Sequence, residues 1–389
     1  KKKKNEKERF MIYLDHAATT PTHDTALEVF VNVSKHYYGN PSSLHDIGAE
    51  AKQLLEASRR TLAKILNAET DEIIFTGGGS ESNQLAIKAL LSSVDSTKNH
   101  LIVSEVEHSS VRNLFEQLER SGFIVSKIGV DSLGRISINE LENLITERTA
   151  LISIQHANSE TGVIQDVEKI GLLTKKHGLL FHSDCVQTFC KIGIESKWFD
   201  AVSVSSHKVY GPKGVGAFYL SKSIDFKPEV PGTSQEKEIK AGTQNVAGIA
   251  SFATAAKLTY ANRADEYVRL TMLRSKIIEG FKNSGIECVD EGSTENKLSN
   301  ILGLRFIGME GQFLMLECSQ TGLAISTGSA CQVGSEKPNR TMKAMGRTDE
   351  EAIEFVRLSL GSENNEEQID VIIQKIEVIL NRHFAKAKF

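Results

Sequence analysis

The sequence predicts an α/β fold: a large domain built on a mostly parallel sheet flanked by helices, followed by a smaller α+β domain. Three observations predict it. Short apolar runs alternate with longer amphipathic ones through the middle of the chain. The short runs are continuous, as in strands covered on both faces. After about residue 245 the alternation stops, and a long helical run with few breakers leads into strand-like and helical segments.

The chain opens on "KKKKNEKERF", a charge run read as a disordered or tag-like tail over residues 1–12. Leu44, Ala51, Leu54, Leu55, Ser58, Leu62 and Ile65 fall on one helical face. "EIIFT" (72–76), "HLIVS" (100–104), "ALISIQ" (150–155), "LLFHSD" (179–184), "AVSVSS" (201–206) and "VGAFYL" (215–220) read as strands. Between two of them, Ile170, Leu172 and Leu173 mark another helical face. The run from Val246 to Ser284 reads as one long helix joining the domains. "SNILGLRFIG" (299–308) and "GLAIST" (322–327) read as strands. Ile369, Ile372, Ile373, Ile376, Ile379 and Leu380 predict a closing amphipathic helix. The expected division is 13–255 for the large domain and 256–389 for the small one, with 13–22 packing on the latter.

Composition narrows the function. The 389 residues are 40% hydrophobic and 25% charged, as in an ordinary globular protein, and the net charge of −4 argues against nucleic acid as a direct ligand. No stretch reaches the ~18 apolar residues of a membrane span, and the N-terminus lacks a secretory apolar core. The five cysteines, Cys185, Cys190, Cys288, Cys318 and Cys331, are odd in number and sparse. They predict reduced thiols in the cytoplasm, and their spacing predicts no metal site.

In open α/β sheets, ligands collect beyond the carboxyl ends of the strands. After "EIIFT" comes "GGGSES" and a helix start, a candidate phosphate cradle without the lysine of a nucleotide P-loop. A plain tight turn explains the same glycines. After "HLIVS" comes His108, either an ordinary helix-capping histidine or a flat ring against a planar ligand. After "ALISIQ" comes Asn158, with both a donor and an acceptor. Asp184 ends a buried strand, where a carboxylate is costly unless it meets a cation. Lys208 follows another, where a desolvated amine becomes a nucleophile toward carbonyls. Together these describe a pyridoxal 5'-phosphate site: a lysine for a Schiff base and an acid for the pyridine nitrogen.

The motifs "YLDHAATT" (13–20), "YGNPSSLHDIG" (38–48), "FTGGGSESNQLAIK" (75–88), "EHSSV" (107–111), "HANSETGVIQD" (156–166), "HSDCVQ" (182–187), "SSHKVYGPKGVG" (205–216), "AGTQNV" (241–246), "STGSAC" (326–331) and "RLSLG" (357–361) carry a resemblance. The chain resembles the cysteine desulfurases of the NifS/IscS type, in the class V aminotransferase group of fold-type I pyridoxal phosphate enzymes. That resemblance implies a seven-stranded sheet and a homodimer with shared active sites. Lys208 would bind the cofactor and shuttle protons, Asp184 would pair with the ring nitrogen, and Gln187 would bond the phenolate oxygen. His108 would stack on the ring and help with proton transfer. Gly79, Ser80, Ser205 and His207 would hold the phosphate, and Thr243 would reach the phosphate of the neighbouring subunit. Asn158 would lie at the cofactor and, with Arg357, hold the substrate carboxylate. Cys331, in a stretch rich in Gly, Ser, Pro and Asn, would take sulfur from L-cysteine as a persulfide, release L-alanine and pass the sulfur to an acceptor protein. Iron–sulfur cluster assembly, tRNA thiolation and cofactor synthesis are the pathways such persulfides feed.

The sequence departs from that family at Ser159, at Lys240–Ala241 and at Ser362, positions that bear on the subunit interface and on the acceptor. A class V aminotransferase, or another lyase, would share Lys208 and Asp184 but have no use for Cys331. Selenocysteine lyase activity is a nearer variant, and a nucleotide-binding protein would use only the glycine turn.

Overall fold

A computed structural model describes residues 11–328 and 338–386. Residues 1–10 of the tail expected over 1–12, and Cys331, lie outside the described residues, whereas Ile12, also expected in that tail, is a buried strand residue. The chain begins with β1 (Ile12–Tyr13), which crosses to the small domain. Then β2 (Ile73–Thr76), β3 (His100–Ser104), β4 (Ile124–Ile128), β5 (Thr149–Ser153), β6 (Leu180–Asp184), β7 (Ala201–Ser205) and β8 (Gly216–Leu220) form a seven-stranded sheet in the order β2-β8-β7-β6-β5-β3-β4. Only β8 runs against its neighbours; every other pair is parallel. The carboxyl ends of the parallel strands therefore share one edge of the sheet, and the loops that follow them build the site.

Six of these strands match the apolar runs to within a residue or two. The strand β4 was not expected. Its sequence, "IVSKI", is polar at its centre, and it lies at the sheet edge, where one side meets water and Ile124 and Lys127 are exposed. Buried hydrophobic clusters cover both faces of the sheet. Leu55, Leu62, Ile170, Leu173, Ile249 and Phe252 close one face, and Ala86, Ile87, Leu90, Val111, Leu114 and Phe115 the other.

Two expected helical faces need correction. Leu44 is fully exposed, because the helix Asp46–Ile65 starts beyond it, where His45 Nδ1 accepts the Gly48 N–H at 3.2 Å. Leu172 points to solvent from Val167–His177, whose inward positions are Ile170, Leu173 and Thr174. The expected single long helix is two, Val246–Ala261 and Arg263–Asn283, parted at Asn262. No glycine or proline marks the break. The two cores part there as well: Ala256 packs in the large one and Leu270 in the small one.

In the small domain, β9 (Cys288–Asp290), β10 (Ile301–Phe306) and β12 (Phe355–Ser359) form an antiparallel sheet in the order β12-β10-β9. The expected strand over 322–327 shrinks to β11 (Leu323–Ala324), which pairs in parallel with β1. Ile12 and Leu14 are buried in this second core with Ile372, Ile376 and Ile379 of the closing helix Glu366–Lys386. Among the described residues, no helix is long and apolar enough to cross a membrane.

Candidate active site

A cavity of about 350 Å³ sits at the carboxyl edge of the sheet, lined by Gly79, His108, Asp184, Gln187, Lys208 and Arg357, among others. Its floor begins at the glycine turn. Gly78 takes φ 147°, a backbone that side chains other than glycine's rarely adopt, and caps the helix Gly79–Ser92. A Cβ on Gly79 would lie 2.9 Å from Val186 Cγ2 and 3.3 Å from Ser205 Cβ, so only glycine lets the helix start approach the strand ends so closely. Ser205 Oγ is buried beside it without a hydrogen bond. On the outer side a second cavity of about 630 Å³ opens the same turn to Ser80, His207, Lys213 and Lys240. Amides at a helix start, an idle hydroxyl and nearby cations make an anion seat.

Asp184 ends β6, nearly buried. Its Oδ1 accepts the Val186 N–H at 2.9 Å and its Oδ2 accepts an N–H from Asn83 at 2.7 Å. Asn83 Nδ2 also donates to Ser110 Oγ at 3.0 Å, and that hydroxyl lies 2.8 Å from His108 Nδ1. His108 caps the helix Ser109–Arg120, its Nδ1 accepting the Ser110 N–H at 3.2 Å. The ring is thereby a capping histidine and a wall of the cavity at once. Burial, only partly offset by Asp184, keeps it below the usual histidine pKa, so it is neutral near pH 7 with its proton on Nε2.

Lys208 lies in the short turn after β7. Its Nζ donates to Ala17 O at 2.7 Å and Ala18 O at 2.6 Å. Burial, then the charges of Arg357 and Lys191, bring its pKa down to about 7, against the opposing pull of Asp15 and Asp184. An amine whose pKa is lowered in this way loses its proton more readily than an ordinary lysine and becomes a nucleophile toward carbonyls. Gln187 donates one N–H to Ala17 O at 3.0 Å and leaves Oε1 buried without a partner. His207 Nδ1 lies 3.1 Å from Thr19 Oγ1, and burial lowers its pKa to about 4.

Arg357 reaches the cavity from the middle of β12, its guanidinium bonded to Ser159 O at 2.9 Å and Asp15 Oδ1 at 2.6 Å. Asn158 does not line this cavity. Its Oδ1 accepts the N–H groups of Glu160 and Thr161 and its Nδ2 donates to Val106 O, so its side chain holds the loop in which Ser159 faces the cavity. Thr243 is exposed and stands apart from the cavity. Asn83, Ser110 and Asp15 were not singled out from sequence. The signal for Asn83 was available: a polar residue four positions after Gly79, on the inward face of a helix.

The arrangement fits pyridoxal 5'-phosphate. The anion seat with its idle Ser205 hydroxyl suits a phosphate, the Asp184 carboxylate suits a protonated ring nitrogen, and the Lys208 amine suits an aldehyde. Comparisons agree with the geometry. The aminotransferase class-V family profile matches residues 12–372. A NifS protein of Bacillus subtilis (strain 168) is 42% identical over 95% of this chain and 94% of its own length. A protein named cysteine desulfurase IscS from Clostridium botulinum (strain Hall / ATCC 3502 / NCTC 13319 / Type A) is 36% identical over 95% of this chain and 94% of its own. A solved structure titled NifS-like protein superposes with a TM-score of 0.89 at 34% identity, covering 96% of this chain and all of that one.

Proposed function

The chain belongs to the class-V aminotransferase family, among the NifS/IscS cysteine desulfurases, and from that premise we propose that it removes sulfur from L-cysteine, leaving L-alanine. The observation that carries the proposal is the joint placement of Lys208, Asp184 and Arg357 around one cavity: an amine, a carboxylate and a guanidinium. Pyridoxal 5'-phosphate, when bound, supplies an electrophilic aldehyde carbon and a ring that draws electrons from an attached amino acid. Gly79, Ser80, Ser205 and His207 would hold its phosphate, helped in a homodimer by Thr243 of the other subunit. Gln187 and Asp184 would meet its polar ring atoms, and His108 its face.

The chain's own residues do the rest. Arg357 anchors the substrate carboxylate with a planar fork of donors. Lys208 Nζ, its pKa brought down to about 7, takes the proton from the substrate's α-carbon and returns it. The neutral His108 ring presents its Nε2–H at the cavity wall as a hydrogen-bond donor. The thiolate of Cys331 attacks the substrate sulfur. A sulfur–sulfur bond forms, the carbon–sulfur pair stays with the carbon fragment, and the protein is left as a persulfide. An acceptor thiol then takes the outer sulfur by exchange. Cys185 and Cys318 suit no such task. Both are buried, and burial raises each thiol to about 12. The free cysteines among the described residues support a reducing, cytoplasmic setting.

The test is product analysis. L-cysteine alone, without a keto acid, is expected to yield alanine and, with a reductant, sulfide in equal amounts. Turnover only on addition of a keto acid would identify an aminotransferase instead.

A further inference from the structure

Residues 15–20 form a strap across the cavity, and the proposed function gives it no role. The strap occupies both basic groups of the site: Asp15 Oδ1 lies 2.6 Å from Arg357 Nη2, and the carbonyls of Ala17 and Ala18 accept from Lys208 Nζ. Its backbone is fixed, since His16 N–H donates to Ser359 O at 3.3 Å and Ala17 N–H to Ser359 Oγ at 2.9 Å. The two partners of the ion pair differ in freedom. Arg357 is 3% exposed in its side chain, Asp15 23%. The guanidinium cannot turn to water, whereas the short Asp15 side chain can rotate outward from a fixed backbone.

We propose that Asp15 is an internal counter-ion for Arg357 which the substrate's carboxylate displaces, so that Asp15 sets how tightly the amino acid is held. The proposal rests on the reading of Arg357 as the carboxylate anchor. Among the described residues, Asp15 is the one carboxylate paired with Arg357, and Arg357 Nε is buried without an acceptor. A guanidinium that gives one N–H to Ser159 O and another to Asp15 is charge-balanced before substrate arrives. An incoming carboxylate therefore gains only the difference between itself and Asp15. Without Asp15 it would be the sole counter-ion of a buried cation and would bind more tightly. The device favours release of the product amino acid at the cost of affinity, and it penalises ligands that bring no carboxylate.

The test uses cofactor-loaded protein and 3-mercaptopropionate, which keeps the carboxylate and thiol of cysteine but has no amine to react. Calorimetric titration compares the natural protein with Asp15→Asn, Asp15→Ser, Asp15→Glu and Arg357→Gln. The neutral variants are expected to bind it roughly tenfold more tightly. Asp15→Glu should stay near the natural value, and KM for L-cysteine should fall in Asp15→Asn without a rise in kcat. A purely structural Asp15 would give weaker binding in both neutral variants and overturn the proposal, as would unchanged affinity. If Arg357→Gln leaves binding unaltered, the anchor and the proposal fail together. If Arg357→Gln weakens binding while the Asp15 variants do not tighten it, the proposal alone fails.

Discussion

Asn83 donates to Asp184 Oδ2 at 2.7 Å and to Ser110 Oγ at 3.0 Å, linking the acid at the cavity floor to the histidine on its wall. The amide fixes the orientation of the Asp184 carboxylate. A hydrogen bond to a charged group is worth about 1.5–3 kcal/mol. Asn83→Ala is therefore expected to loosen the cofactor by roughly tenfold or more, read as the dissociation constant from visible absorbance. A variant that holds the cofactor as tightly as the natural protein would show that Asp184 needs no such support.

Cys331→Ala is expected to keep the visible absorbance of a cofactor-bearing protein and to change it on adding L-cysteine. It should release no sulfide. Cys318→Ala, which removes a fully buried thiol from the helix Gly311–Thr321, should keep turnover and lose some stability.

The cofactor-free protein should gain stability as pH rises from about 7 to 9. Burial first, then neighbouring cations, brings Lys208 to about 7; burial brings Lys191 to about 8, its ammonium nitrogen sealed from solvent without a partner. In the unfolded chain both lysines keep their protons to about pH 10. Over that window the unfolded state binds protons that the folded state has shed, so raising the pH favours folding. The gain should be about 3–4 kcal/mol, read from urea midpoints, and Lys191→Met should remove its share.

Arg59 and Glu236 form a buried pair, with Arg59 Nη1 and Nη2 each 2.9 Å from a carboxylate oxygen and the Phe75 N–H donating to the same carboxylate at 2.7 Å. The pair pins a turn in which Glu236, Lys237 and Glu238 all have positive φ, which non-glycine residues adopt at a cost. Glu236→Ala leaves Arg59 charged, buried and without that partner. With Glu56 Oε1 still 3.2 Å from Arg59 Nε, the loss should be about 2–3 kcal/mol in urea denaturation.

The large sheet was legible because its strands are buried on both faces and read as unbroken apolar runs. The edge strand β4 was not, since a half-exposed strand with Ser126 and Lys127 at its centre looks like a loop. The break at Asn262 escaped because an asparagine between two good helical runs carries no steric block, and only the division between two cores decides it. Within the site, Lys208, Asp184 and the glycine turn announced themselves as polar or flexible residues at strand ends, where burial makes them expensive. Asp15 did not, because its meaning depends on Arg357, 342 residues away in the sequence. Asn158 shows the reverse. Its chemistry suggested a ligand contact, and its side chain holds a turn.

In the proposed reaction the Lys208 amine forms the covalent link to the cofactor. Borohydride reduction of the freshly purified protein, followed by digestion and peptide mass spectrometry, tests it most directly. A pyridoxyl phosphate mass is expected on Lys208 in the peptide spanning residues 203–213. An adduct on a different lysine, or none on a protein loaded with cofactor, would contradict it.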